Sequence, residues 1–172
     1  GIDALRARLA ELGCTLPLDD AVLTAEQGSP LATPLNVGGF SVGNRWCIHP
    51  MEGWDANRDG SPSEFTLRRW QNFGRSGAKL IWGGEAAAVR HDGRANPNQL
   101  MIAEHTVDAI AAMRGELMDA AEEVAVTPVV GLQLTHSGRW SRPDGDPAPR
   151  TARIDPVLDG RVGAGTHTLL SD

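Results

Sequence analysis

The feature that most constrains the fold is an alternation of short apolar runs with segments of helical period. The apolar runs lie in RWCIH, KLIWGG and TPVVGLQLTHSG, and a helical segment separates each from the next. Short strands that alternate with helices pair in parallel, and strands that are apolar throughout are typical of a sheet covered on both faces. The pattern β-α-β-α-β therefore predicts an α/β fold, either a doubly wound sheet or a (β/α)8 TIM barrel.

Glycine spacing and chain length favour the barrel. No G-x-G-x-x-G follows a strand, which disfavours a dinucleotide-binding doubly wound sheet. A barrel typically needs about 250 residues, and this chain has 172. We therefore expect an incomplete TIM barrel with roughly its first three β/α units. Residues 1–43 would form an N-terminal helix and hairpin, 44–137 would carry the three strands, and 138–172 would form a Pro- and Gly-rich excursion.

Three helices are expected from apolar spacing and capping residues. The first is GIDALRARLAELG, with an apolar face formed by Ile2, Leu5, Leu9 and Leu12. The second would start at Ser61 as N-cap, with Glu64 closing a capping box, and would end at Gly77. Its apolar face would consist of Phe65, Leu67, Trp70 and Phe73. The third is expected from about Glu104 to Glu123.

Composition and charge exclude several kinds of partner. The net charge of −6, with scattered arginines, disfavours nucleic acid. No apolar segment approaches the roughly 20 residues that span a bilayer, and the N-terminus has no signal pattern, so we expect no membrane partner. Cys14 and Cys47 fit neither a metal spacing nor a disulfide framework, which is typical of a cytoplasmic protein. The chain has no tyrosine, so no phenol is available for proton transfer.

The candidate site residues follow the three strands, because active sites of parallel α/β folds lie at the carboxyl ends of the strands. They are His49, Pro50, Met51, Glu52 and Trp54, then Gly83, Gly84, Glu85 and Ala86, then Gln133, Thr135 and His136. Alternation along the third strand places Gln133 towards the site, and Leu132, Leu134 and His136 towards the helices. The Gln133 amide offers both a donor and an acceptor, which suits a heterocycle with adjacent N–H and C=O groups.

Four segments resemble the N-terminal half of the Old Yellow Enzyme family. They are NRWCIHPMEGW, DGSPSE, GAKLIWGGEAAAVRHDGRANPNQ and VVGLQLTHSGR, which together run from about Asn44 to Arg139 in the family's order and spacing. Members of this family are flavoproteins built on a TIM barrel with non-covalent FMN. The resemblance implies an oxidoreductase in which NADH or NADPH reduces FMN. The flavin would then reduce an activated alkene or a related electrophile, as an ene-reductase does.

The resemblance also implies FMN-binding residues. Pro50 and Met51 match the turn whose backbone lies along the flavin rings, and Glu52 matches a position at the carbonyl edge of the isoalloxazine. Ala86 matches a small residue near the pyrimidine part of the ring. Gln133 matches the amide that hydrogen-bonds that part.

Other positions depart from the family or have no counterpart. Where the family usually has Thr or Cys, this chain has Glu52, and an ionised carboxylate there would oppose an anionic reduced flavin. Trp54 falls where some relatives carry an aromatic residue that shapes the substrate pocket, so Glu52 and Trp54 are the candidates for catalysis. The family's substrate anchors, proton-donor Tyr and phosphate-binding residues match nothing in this chain. We therefore expect the isolated segment to be inactive and leave its further catalytic residues unassigned.

Alternatives remain open for the function and for one loop. The chain could be a non-catalytic barrel half that needs the remainder of the barrel as a partner, and a homo-oligomer is compatible with either function. A metal-dependent barrel hydrolase would need zinc at His49 and His136, but the histidines do not share ligand spacing, so we expect no metal. In the loop DGRANPNQ, Asn96 to Gln99 could line the pocket for a small-molecule substrate or could only close the turn.

Overall fold

A computed structural model describes residues 1–170, with His167 described by its backbone alone. The helices are α1 (Ile2–Glu11), α2 (Glu64–Arg75), α3 (Val107–Glu122) and α4 (Asp159–Val162), and the strands are β1 (Leu35–Val37), β2 (Phe40–Val42), β3 (Cys47–Ile48), β4 (Leu80–Ala88) and β5 (Val129–Thr135). Strands β3, β4 and β5 form one parallel sheet in that order, and β1 pairs with β2 as an antiparallel hairpin. The predicted order β-α-β-α-β is confirmed, and the described sheet is open.

Helix α2 begins two residues later than predicted. Its N-cap is Ser63, whose hydroxyl accepts from the backbone N–H of Phe65 and Thr66, while the Thr66 hydroxyl accepts from the Ser63 N–H. The predicted N-cap, Ser61, instead bonds the Asp59 carboxylate through its N–H and its hydroxyl, at 2.9 Å and 2.7 Å. The prediction of Ser61 with Glu64 is therefore wrong, because Asp59 holds Ser61 in a turn before the helix.

The hydrophobic core lies between the sheet and the helix pair α2–α3. Its buried members are Ala56, Trp70, Ile81, Ala87, Leu100, Ile110, Met113 and Leu117. Of the predicted apolar face of α2, Trp70 is buried and Leu67 and Phe73 pack against the core, but Phe65 is exposed beneath the Arg68 guanidinium. Helix α3 begins at Val107, three residues later than expected, because the Thr106 hydroxyl donates to the Met101 carbonyl and closes a turn first.

The two helices approach most closely at Gly74. A Cβ on this residue would lie 2.3 Å from the Leu117 carbonyl oxygen, 3.0 Å from the Ala121 nitrogen and 3.1 Å from the Ala120 Cβ. Side chains larger than hydrogen therefore do not fit at this point. Glycine is what allows α2 to lie directly on the backbone of α3.

Strand β4 is longer than the predicted KLIWGG. Its register with β5 shifts between Trp82 and Ala86, which is a β-bulge. At the bulge Gly83 has φ +58, and a Cβ there would lie 2.6 Å from the Gln133 nitrogen and 3.2 Å from the Pro50 Cβ. Because the strand continues past the bulge to Ala88, Glu85 and Ala86 lie within it, not after it as predicted.

In β5 the predicted facing of the aliphatic residues holds only in part. Val130 and Leu132 pack against the core as expected. Leu134, which was also expected to face the helices, is 61% exposed. Its register partner Ala87 lies in the core, whereas Leu134 itself is on β5, an edge strand of the described sheet.

The two ends of the chain pack less closely than the central part. Helix α1 forms over Ile2–Glu11 as predicted, but none of its residues is buried, so its apolar face covers no core. From Gly138 onwards the described chain follows an irregular path with α4 and short 3-10 turns, as expected for the Pro- and Gly-rich excursion. No helix of residues 1–170 is both long and apolar enough to cross a membrane.

Candidate functional site

The sheet brings three of the predicted FMN-binding residues together at one edge. The Ala86 N–H donates to the Met51 carbonyl at 3.4 Å, which joins the segment after β3 to β4. Ala86 is also the register partner of Gln133 in β5. The buried Gln99 side chain donates to the Ala86 carbonyl at 2.8 Å. The Ala86 peptide is thus held on both sides, between Met51 and the loop after β4.

Ala86 and Gln133 face away from the helix pair. Ala87 lies in the core between sheet and helices, so alternation places Ala86 and Gln133 on the opposite face. Gln133 is exposed on that face, and the Met51 residue is 73% exposed. The exposed residues Gln133 and Met51 therefore both neighbour the buried Ala86 near the carboxyl end of the sheet.

Glu52 meets the loop DGRANPNQ. Its carboxylate accepts from the Asn96 side-chain amide at 3.4 Å, and Asn96 is itself buried. The Asn96 side-chain oxygen accepts from the Asn98 N–H at 2.9 Å, and the Gln99 side-chain oxygen accepts from the Ala95 N–H. These bonds favour the interpretation in which Asn96 and Gln99 close the loop rather than line a pocket.

Trp54 occupies a strained turn. Its φ of +56 lies in the left-handed region, which is uncommon for a residue with a side chain. The Trp54 residue is 65% exposed. A residue in this conformation persists only when its surroundings hold it there, and the neighbouring Gly53 N–H donates to the Glu85 carboxylate at 2.9 Å.

A partly buried ion network, in which only Glu85 is fully buried, lies against that turn. The Arg69 guanidinium donates to the Asp55 carboxylate through Nη2 at 2.8 Å and through Nε at 3.0 Å. The Nη2 group also donates to the second carboxylate oxygen of Glu85. Another Arg69 nitrogen donates to the Gly84 carbonyl at 3.2 Å. Arg69 of α2 thus joins Asp55 to strand β4.

The network shifts the pKa of each of its members. Burial raises the pKa of Glu85 above its ordinary value, against the opposing effects of the Gly53 N–H and Arg69. Burial would also raise the pKa of Asp55, but hydrogen bonds and charge from Arg69, with a hydrogen bond from Thr66, outweigh it and leave that pKa below its ordinary value. For Arg69, burial lowers the pKa, and its bonds to Asp55 and Glu85 more than reverse the effect. Arg69 therefore stays charged between the two carboxyl groups.

Comparisons with known proteins identify structural relatives. No family model and no curated protein matches this chain. Old Yellow Enzyme from Pichia sp. AKU4542 superposes with a TM-score of 0.56 at 18% identity, covering 66% of this chain and 28% of that one. The old yellow enzyme homologue from Zymomonas mobilis gives 0.52 at 27% identity, over 63% and 28% of the two chains. Morphinone reductase in complex with tetrahydroNAD gives 0.52 at 26% identity, over 70% and 32%.

The chain resembles the Old Yellow Enzymes. The resemblance that the strand-end motifs suggested is confirmed by these structures. The fold prediction is confirmed as well, since the relatives match over part of a TIM barrel and the described sheet is the corresponding open segment. The chain spans only 28% to 32% of the length of these three relatives.

His136, from the Old Yellow Enzyme-like motif QLTHSGR, does not face the helices as predicted. Its ring packs against the loop after β4, where a Cβ on Gly93 would lie 2.5 Å from the ring. The ring Nδ1 accepts from the Gly138 N–H at 3.0 Å, and Nε2 lies 3.9 Å from the Asp92 carboxylate. The prediction fails because His136 follows the end of β5, where strand alternation no longer applies.

The histidines do not assemble a metal centre in the described part of this Old Yellow Enzyme-like chain. His49 is exposed after β3, whereas His136 follows β5 and its ring packs against Gly93. Within residues 1–170 no three His, Cys, Asp or Glu side chains are grouped so that they could hold a metal ion. The geometry therefore lends no support to the zinc hydrolase hypothesis.

The sequence did not indicate the ion network of Asp55, Arg69 and Glu85. One signal was available, since Glu85 interrupts the apolar and small run LIWGGEAAA of β4. A carboxylate inside such a strand is seldom buried without a partner. The sequence could thus have indicated that Glu85 needs a cationic partner, but it does not show which of the 16 Lys and Arg residues is that partner.

Proposed function

We propose that this chain forms part of an FMN-dependent oxidoreductase in which NADH or NADPH supplies hydride to reduce an activated alkene or a related electrophile. The observation that carries the proposal is the convergence of Met51, Ala86 and Gln133 at the carboxyl ends of β3, β4 and β5. These are positions at which the resemblance predicts contacts with the flavin. The structural relatives support the coarser statement that the chain has the architecture of a flavin-dependent oxidoreductase.

The chemistry of the residues at this edge fits a flat heterocycle. Bound FMN would supply the capacity to accept a hydride and pass it on. The exposed Gln133 amide offers a donor and an acceptor to the polar edge of such a ring. The small, largely buried side chain of Ala86 would lie beside the ring, and Met51 and Pro50 would contribute backbone and apolar surface.

Two further side chains are assigned to the same site. Glu52, held by Asn96, would lie at the polar edge of the ring, where its charge would disfavour a reduced anionic flavin. The exposed Trp54 indole would shape the substrate pocket. The nicotinamide donor is supported by morphinone reductase, whose structure contains tetrahydroNAD.

The proposal is tested by the colour of the purified full-length protein. We expect the visible absorbance of an oxidised flavin, and release of that flavin on denaturation because FMN is bound non-covalently. A colourless, folded protein that takes up no added FMN in a fluorescence titration would refute the proposal.

Substitution of Gln133 tests the site itself. Gln133→Leu is expected to weaken FMN binding by roughly threefold to tenfold, since it removes about one net hydrogen bond. The matched control is Gln71→Leu, because Gln71 lies on α2, outside the sheet, and also makes one side-chain hydrogen bond, to Glu116 of α3. Equal FMN affinity for the Gln133 variant and the control would remove Gln133 from the site.

A second candidate function is a non-catalytic barrel half that is completed by a partner chain. The observation in its favour is that Trp82 and Leu134, both in strands of the open sheet, are exposed. Burial of such side chains against further strands would be favourable. A colourless complex between this chain and the remainder of the barrel, unable to bind FMN, would select this candidate over the first.

A further inference from the structure

The turn formed by residues 50–55, here called the Trp54 turn, is tied to the sheet by a carboxylate with two separate tasks. Glu85 is only 1% exposed. One of its oxygens accepts the Gly53 N–H at 2.9 Å, and the other contacts the Arg69 guanidinium. The same side chain therefore holds the backbone of the turn and a cation from α2.

Close packing gives independent evidence for this link. A Cβ on Gly53 would lie 2.0 Å from Nη2 of Arg69, 2.6 Å from its Cζ and 2.7 Å from Oδ1 of Asp55. The turn thus lies directly against the guanidinium. Glycine at this position permits the approach.

The strained residue of the turn, Trp54, directly follows Gly53 in the chain. Trp54 has φ +56, a conformation that must be held by neighbouring contacts. The hydrogen bond at Gly53 precedes it, and Asp55, which follows it, is bonded to Arg69 at 2.8 Å and 3.0 Å. The ion network therefore holds the residues on both sides of Trp54 in place.

We propose that Glu85 and Arg69 are positioning residues that hold the Trp54 turn in its strained conformation. They fix the Met51 backbone and the Trp54 indole at the carboxyl edge of the sheet. The inference rests on the proposed function only for what the turn borders, namely the FMN and substrate site. The ion network itself is a property of this chain with or without a flavin.

The test is hydrogen exchange, measured by mass spectrometry on peptides that cover residues 50–56 of the full-length protein. Glu85→Gln keeps the size of the side chain but replaces one carboxylate oxygen with an NH2 group, so that in the observed geometry either the Gly53 N–H or Arg69 faces a donor instead of an acceptor. We expect exchange in the turn to accelerate by about tenfold, as for loss of a hydrogen bond to a charged group. Peptides from α3 are expected to exchange as in the wild type, which separates a local effect from general destabilisation.

The matched control is Glu123→Gln. Glu123 makes an exposed two-point ion pair with Arg75 at 2.7 Å and 3.0 Å, at the far end of α2. The chemical change is the same, but the turn is not involved, so exchange of residues 50–56 should not change. Unchanged exchange of the turn in a folded Glu85→Gln protein would overturn the inference.

A second variant keeps the test decisive if Glu85→Gln does not fold. Gly53→Ala leaves both carboxylates in place but forces Arg69 away from the turn. We expect the same local acceleration of exchange. Wild-type exchange in this variant would also overturn the inference.

A flavin readout separates this inference from the proposed function. With FMN bound, Glu85→Gln is expected to shift the flavin absorbance spectrum, whereas Glu123→Gln is not. If the wild-type protein binds no FMN, the proposed function fails, and the exchange of the turn alone decides the positioning role. If FMN binds and neither the spectrum nor the exchange responds to Glu85→Gln, the positioning role fails and the proposed function stands.

Discussion

Replacing Gly74 with alanine tests whether contact between the backbones of α2 and α3 sets the geometry behind the sheet. The new Cβ would lie 2.3 Å from the Leu117 carbonyl oxygen, whereas ordinary contact begins at 3.4 Å. The helices must therefore separate by about 1 Å, since helix backbone cannot swing aside as a side-chain end can. Overpacking of this kind costs up to about 3 kcal/mol. Alanine recovers about 1 kcal/mol of helix propensity, so we expect a net loss of about 2 kcal/mol.

The measurement is urea unfolding followed by circular dichroism, with the free energy of unfolding obtained by linear extrapolation. A shifted midpoint at unchanged slope would assign the loss to stability alone. Gly115→Ala is the matched control, because Gly115 lies inside α3 and its added Cβ would meet nothing within 4 Å. That variant should gain about 0.5–1 kcal/mol. If Gly74→Ala were as stable as the wild type, the argument from close helix approach would be refuted.

Two further predictions concern the charged residues of the site. Glu52→Gln should raise the flavin midpoint potential by roughly tens of millivolts, since a negative charge near the ring is removed; an unchanged potential in a redox titration would show that Glu52 points away from the flavin. Asp55→Asn should cost stability at neutral pH, because the lowered pKa of folded Asp55 stabilises the protein fully above the ordinary Asp value of 3.8. This stabilisation is lost as pH falls from 3.8 through the lowered pKa, so the cost of the substitution should shrink there. Urea unfolding at pH 7 and at about pH 3 measures this difference, and a pH-independent difference would contradict the assigned pKa shift.

Local patterns predicted the element order well, because helices and strands have different periods that survive in the sequence. Leu67, Trp70 and Phe73 mark one face of α2, and Val130 and Leu132 mark one face of β5, as expected. The sequence pattern did not predict the first residue of α2, because a single local contact determines it. Ser61 and Ser63 are equally good caps by composition, and the Asp59 carboxylate determines which of them starts the helix.

The candidate site was predictable in outline for a related reason. Carboxyl ends of parallel strands meet at one edge, so residues following different strands are brought together once the topology is known. Met51, Ala86 and Gln133 follow that rule. His136 did not, because the side to which a residue points is no longer set by alternation once the strand has ended.

By itself, the sequence determined the alternating elements of this chain, the edge at which its site residues gather and the motifs that resemble the Old Yellow Enzymes. Each of these follows from spacing along the chain. Only the tertiary structure decided that β4 passes through a bulge at Gly83 and that Glu85 meets Arg69 and the Gly53 N–H. The physical reason is that a buried charge must find its partner in space, and residues far apart in the chain become neighbours only when helix and strand have packed.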